Sequence, residues 1–254
     1  MKKKLGTILL LSIFLLGCAT VYNPVTRREE RTLYSVEQEI ALGKQVAEQI
    51  EKEIEAYEDS TVSRVGQAVA SNSDRPDIPY SFKVIKSDEI NAFALPGGFI
   101  YIYKGLLDIV DEPELAAILG HEIGHVAARH GIKRIQSVFG YQLAATLALA
   151  VLGDKSEAGQ IQEIADSIFT LIVLGYSRKD EFQADRLGTI YTYRSGYDPH
   201  AMTSVLEKLG EHGRGVQITL LSTHPPVEDR ISEAEIVIAA LEPEEESEDG
   251  QESQ

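Results

Sequence analysis

Apolar positions set the order of elements along this chain. From Tyr34 to about Tyr57, Val36, Ile40, Val46, Ile50 and Ile54 recur among charged residues, a spacing that predicts an amphipathic helix. Thr61 to Ala70 reads as a second, shorter helix, and DRPDIP (74–79) breaks the chain after it. The period then changes. YSFKVIK (80–86) alternates apolar and polar residues, and FIYIY (99–103) is aromatic and β-branched, so both predict strands. Between them lies NAFALPGG (91–98), where Pro96-Gly97 fits the central positions of a type II turn and predicts a hairpin with the strand that follows. A helix starts near Asp111, with Glu114 at capping-box spacing and Pro113 in its first turn, and runs to a stop at Gly131. Helical patterns continue over about 132–152, 158–175, 178–195, 199–211 and 227–241. The expected class is therefore α+β, mainly helical, with a small antiparallel sheet. Segments 138–152 and 161–175 are unusually apolar, but each is short of the ~20 residues that span a bilayer. They read as buried core helices, the alternative being a helical hairpin over the functional site or against a membrane.

Composition narrows the picture at both ends. The 254 residues suffice for one sizeable domain. Net charge is −16, and the tail from Glu242 (EPEEESEDGQESQ) carries seven acidic residues and no basic one, so the excess is concentrated there. Such a tail is expected to be a solvated, disordered end. No basic stripe marks a nucleic-acid partner. At the other end, MKKK followed by LGTILLLSIFLL has the n-region and h-region of a signal peptide, ending at Leu15-Leu16-Gly17-Cys18. Cys18 is the only cysteine, so it serves no disulfide framework. The pattern resembles a bacterial lipobox, and that resemblance implies a signal peptide over 1–17 and lipidation of Cys18. Ala19 in place of aspartate then favours an outer-membrane lipoprotein facing the periplasm. Residues 18–33 read as a tether, 34–241 as the domain and 242–254 as the tail.

The chemistry lies in ILGHEIGHVAARHG (118–131). His121 and His125, four apart on a helix, share one face, and two imidazoles there reach one zinc ion at about 2.0–2.1 Å. Glu122, rotated around the helix, reaches a metal-bound water as general base without being a ligand. HExxH thus supplies two ligands and a base in five residues. Gly124 removes bulk and leaves room for close packing. His130, five residues after His125, projects about 140° off the ligand face and is expected as a structural residue in the last turn before a Gly131 cap.

A third ligand must come from elsewhere. His200, His212, His224 and inward-facing acidic residues are candidates. SRKDEFQADRLG (177–188) stands out, because Glu181 and Asp185 lie four apart. A His-His-Glu set with an open fourth position is a known catalytic arrangement, and Asp185 could fix a ligand histidine's tautomer.

NAFALPGG, HEIGHVAARHG, EFQADRLG and LSTHPPVEDRI (221–231), in that order along the chain, resemble the membrane-associated gluzincin metallopeptidases. That family includes the heat-shock protease HtpX, the Oma-type and the CAAX prenyl proteases, and periplasmic lipoprotein members. The resemblance spans about residues 34–240. It implies a zincin-type domain with one Zn2+ held by His121, His125 and Glu181, Glu122 as base and Asp185 behind a ligand. It also implies that Asn91, Ala92, Phe93 and Ala94 form an edge strand at the cleft that pairs with substrate backbone. His224 would donate to the oxyanion or cap the metal, and Arg230 would add positive charge to the pocket. The implied activity is zinc-dependent endoproteolysis of misfolded envelope proteins, with outer-membrane assembly machinery as a partner. An assembly factor with a latent zinc site is the competing reading, and an intact Glu122 argues against it.

Overall fold

A computed structural model describes residues 19–138, 166–172, 174–212 and 227–242. Its centre is a four-stranded sheet of β3 (Ala56–Tyr57), β4 (Ser81–Ile85), β5 (Ala92–Leu95) and β6 (Phe99–Tyr103), in the spatial order β3-β4-β6-β5. The expected hairpin of β5 and β6 is present, and Gly97 takes the left-handed conformation its turn requires, with φ 75°. The sheet is mixed rather than antiparallel. After β4 the chain crosses to the far edge as β5 and returns as β6 between the two, which makes β6 parallel to β4.

Both faces of the sheet are buried, which explains why AFAL in β5 does not alternate with polar residues. Phe82, Val84, Ala92, Ala94, Ile100 and Ile102 face the core built with α2 (Ser60–Ser71), α4 (Glu112–Ala127) and the helices beyond. Phe93, Leu95 and Tyr101 face a second cluster with α1 (Val36–Ile50) and helical residues from 130–138 and 166–172. A one-turn helix, α3 (Lys104–Leu107), links β6 to the segment before α4. The chain closes with α5 (Arg178–Arg194), α6 (Ala201–His212) and α7 (Val227–Leu241). The expectations for 139–165, for the acidic tail from 243 and for the leader through Cys18 lie outside the described residues. Among the described residues, no helix is long and apolar enough to cross a membrane.

Two local expectations are corrected. Residues 19–32, read as part of a tether, form an antiparallel hairpin of β1 (Ala19–Asn23) and β2 (Arg28–Thr32). Its short polar strands gave little periodic signal, and side chains from 130–138 fasten it, with Lys133 pairing Glu30 and Gln136 accepting from Thr32 and Leu33. The second correction concerns α4, which begins at the expected Asp111–Glu114 capping box but ends at Ala127, four residues early. Arg129 takes the left-handed conformation there (φ 62°), and a new helical stretch starts at residue 130. A side chain in that conformation is normally strained. Arg129 is held there by its buried guanidinium, which pairs with Glu39 at 2.9 Å and donates to the Tyr34 carbonyl.

α4 and α5 cross where both are narrow. Gly124 faces the Ala184 backbone, as its place in the motif led one to expect, and Gly188 faces Gly120 and His121. A Cβ at Gly188 would stand 2.7 Å from the His121 nitrogen, where only backbone movement makes room. Gly188→Ala is therefore expected to force the helices apart, cost about 1–3 kcal/mol and weaken metal binding. Thermal unfolding in excess chelator checks the first effect, and an unchanged midpoint would contradict the contact.

Candidate metal centre

The close crossing places side chains from two helices at one point. His121 and His125 project from α4, and Glu181 from the first turn of α5, whose N-cap Ser177 accepts from the Asp180 N–H. All three are buried, and their donor atoms lie within 4.8 Å of one another. The two Nε2 atoms are 3.0 Å apart, and Glu181 oxygens stand 3.5 Å from His121 Nε2 and 3.6 Å from His125 Nε2. Two ligands ~2.0 Å from a tetrahedral zinc stand roughly 3.3 Å apart, so the separations fit one Zn2+. A donor set of two imidazoles and a carboxylate suits zinc chemically.

Around these donors the chain fixes orientation. His121 Nδ1 lies 2.8 Å from Asp185 Oδ1, and Arg230 from α7 grips the same carboxylate with both Nε (2.8 Å) and Nη2 (2.6 Å). Burial alone would raise the Asp185 pKa, but the Arg230 charge and hydrogen bonds hold it at about 2. Burial likewise opposes charge on His121, yet the bond to ionised Asp185 lifts the metal-free imidazole to about 10. An ionised Asp185 therefore accepts the Nδ1–H and leaves Nε2 turned to Glu181 and His125. Arg230 stands behind this carboxylate rather than in the pocket as a loose positive charge. Asp185→Asn is expected to weaken zinc binding about 10–100-fold, read by competition with a chromophoric chelator. Equal affinity would remove Asp185 from this role.

Glu122 is also buried, and burial pushes its carboxyl up to about 7, opposed in part by an Ala94 backbone hydrogen bond. A pKa near neutrality suits a group that takes a proton and returns it. The same bond joins the base to Ala94 of β5, the edge strand of the sheet, and Asn91, Ala92 and Phe93 precede it along the chain.

Other expected residues fall elsewhere. His200 is exposed, with Nε2 3.3 Å from Glu242, and lies outside the cluster. His224 lies outside the described residues. His130 does not cap the helix end. Because the chain turns at Arg129, its buried ring returns to His125 at 2.9 Å. Two neighbours carried no signal in the sequence. Tyr176, just before the α5 cap, stacks on the His125 ring at 4.2 Å and 22°. Glu39 of α1 is buried in a grip with Arg75 (3.0 Å) and Arg129, and Arg75 also donates to the Val126 carbonyl beside His125.

An HExxH helix crossing a second helix that supplies a glutamate defines a metallopeptidase-type centre. The sequence pattern of Peptidase family M48 matches residues 56–237, and the chain belongs to that family. It is 31% identical over 214 residues to the beta-barrel assembly-enhancing protease of Yersinia pestis, covering 79% of this chain and 44% of the relative. Mitochondrial metalloendopeptidase OMA1 of Schizosaccharomyces pombe is 30% identical over 84% of this chain and 65% of its own length. Metalloprotease LoiP of Escherichia coli is 30% identical over 60% of each. The chain thus spans less than two thirds of the length of these relatives.

Proposed function

We propose that this chain is a zinc-dependent endopeptidase of the bacterial envelope. The observation that carries the reading is the convergence of His121, His125 and Glu181 on one buried point, with Glu122 between that point and an edge strand. His121, His125 and Glu181 hold the metal. When bound, zinc polarises the peptide carbonyl and acidifies the attacking water. Glu122 takes the water's proton and delivers it to the leaving nitrogen. Asp185, held by Arg230, keeps His121 in the ligating tautomer. Asn91 to Ala94 align substrate as an added strand along β5, and His224 donates to the developing oxyanion. The edge position of β5 supports the first of these two roles, and the order of motifs supports the second.

The lipobox ending at Cys18 supports a lipid anchor and an outer-membrane site facing the periplasm. A relative named for beta-barrel assembly supports misfolded or stalled outer-membrane proteins as substrates and their assembly machinery as partner. The test of the activity is cleavage of unstructured β-casein by the purified chain, abolished by a chelator and restored by stoichiometric zinc. Zinc-loaded protein that leaves casein intact would favour an assembly factor with a latent centre.

A further inference from the structure

The second histidine ligand has an orienting partner of its own, and it is a third histidine. His125 presents Nε2 toward His121 and Glu181, so its Nδ1 faces away from the metal point. That Nδ1 lies 2.9 Å from His130 Nδ1, and the far nitrogen of the same ring, Nε2, lies 3.0 Å from Gln183 Oε1. Between two facing imidazole nitrogens only one can carry the proton. An amide oxygen only accepts, so Gln183 requires a proton on His130 Nε2. Neutral His130 then has a bare Nδ1, which accepts the proton on His125 Nδ1. The His125 Nε2 lone pair is left for the metal. Asp180 Oδ1, 3.5 Å from His130 Nε2, favours the same placement of the proton.

From this chain of donors and acceptors we infer that His130 is a positioning residue for the metal ligand His125, its tautomer set by Gln183. The inference rests on the metal-centre reading above and adds to it an asymmetry between the two ligands. His121 is backed by an ionised carboxylate held by an arginine, His125 by a neutral imidazole held by an amide. The Asp180 carboxylate stands one step further out, 3.5 Å from His130 Nε2, whereas Asp185 meets His121 directly. The local fold serves this arrangement. His130 is buried, and its ring sits within 5.0 Å of His125 and 5.9 Å of Tyr176 between ring centroids. It reaches that place because the left-handed Arg129 ends α4 and returns the chain.

The test measures zinc dissociation constants of the full chain by competition with a chromophoric chelator, alongside thermal unfolding of the metal-free protein. His130→Phe keeps a ring of similar size and loses both nitrogens. It is expected to weaken zinc binding about 10–100-fold. His130→Gln, whose amide can accept from His125 and donate to Gln183, is expected to recover most of the loss. A merely structural role predicts a lower metal-free midpoint with unchanged zinc affinity, and that result overturns the inference, as does a Gln variant no better than Phe. Gln183→Leu serves if the Phe variant does not fold. It frees the tautomer of His130 without emptying the site, and a several-fold weaker affinity is expected, with wild-type affinity again overturning the inference. Absence of zinc from the wild-type chain would instead strike the metal centre itself, so the two failures are distinguishable.

Discussion

Glu122→Gln is expected to keep its zinc and lose about 10²–10⁴-fold in peptide cleavage. The two halves of that result have separate causes. Glu122 is not among the three converging donors, so replacing its carboxylate with an amide of the same shape leaves the ligand set intact. The amide cannot take a proton from water, and general-base catalysis of this kind contributes about 10²–10⁴-fold. Burial raises the Glu122 carboxyl to about 7, while the Ala94 backbone bond favours its ionised form. The variant retains volume and loses only the titrating function. Parallel zinc analysis and steady-state cleavage of casein check both halves. A variant that cleaves at the wild-type rate would remove Glu122 from the chemistry, and one that loses zinc would show that the carboxylate supports the ligands.

The largest expected effect on stability lies away from the chemistry. Glu39→Gln is expected to destabilise the fold by about 3–5 kcal/mol, because it strands two buried guanidiniums. Glu39 is 1% exposed, Arg75 9% and Arg129 3%, so water cannot compensate either arginine once the carboxylate is gone. Arg75 Nη1 and Nη2 donate to Glu39 Oε1 and Oε2, at 3.0 and 3.2 Å, and Arg129 approaches the second oxygen. In a chain of this size the loss corresponds to a midpoint lower by about 6–20 °C. Glu37→Gln, an exposed position on the same helix, is the comparison and is expected to change little. The measurement is thermal unfolding with chelator present, so that metal loss does not enter. A Glu39 effect no larger than that at Glu37 would contradict the buried cluster. Because Arg75 also holds the Val126 carbonyl next to His125, the same substitution is expected to weaken zinc binding.

These two residues mark what could be read along the chain. His121, Glu122 and His125 were legible because their geometry is local, being fixed by one helical turn. The β5–β6 hairpin was legible for the same reason, with Pro96-Gly97 setting the turn. Glu181 lies 56 residues beyond His125, and among several candidates for the third donor it was singled out by spacing and by the resemblance of the whole motif set. Glu39 was not legible. On an amphipathic helix it reads as one more solvated charge, and its partners lie 36 and 90 residues away. His130 lies outside the ligand set as its spacing implies, but its place beside His125 was not legible, because the spacing argument assumes a continuous helix whereas the chain leaves the helix at Ala127 and turns at Arg129, a residue type that rarely adopts a left-handed backbone. The parallel pairing of β4 with β6 was hidden likewise, since strand order depends on where the chain crosses rather than on the strands themselves.

The central claim is that His121, His125 and Glu181 make an open zinc centre. X-ray absorption at the zinc edge on the purified chain, with metal content measured on the same sample, tests it most directly. The account predicts one zinc per chain with two nitrogen ligands at about 2.0–2.1 Å and oxygen ligands at about 2.0–2.2 Å, one of them exchangeable. Glu181→Ala is expected to lose the metal. A protein that purifies without zinc and does not take it up, or one whose zinc signature is unchanged by Glu181→Ala, would contradict it.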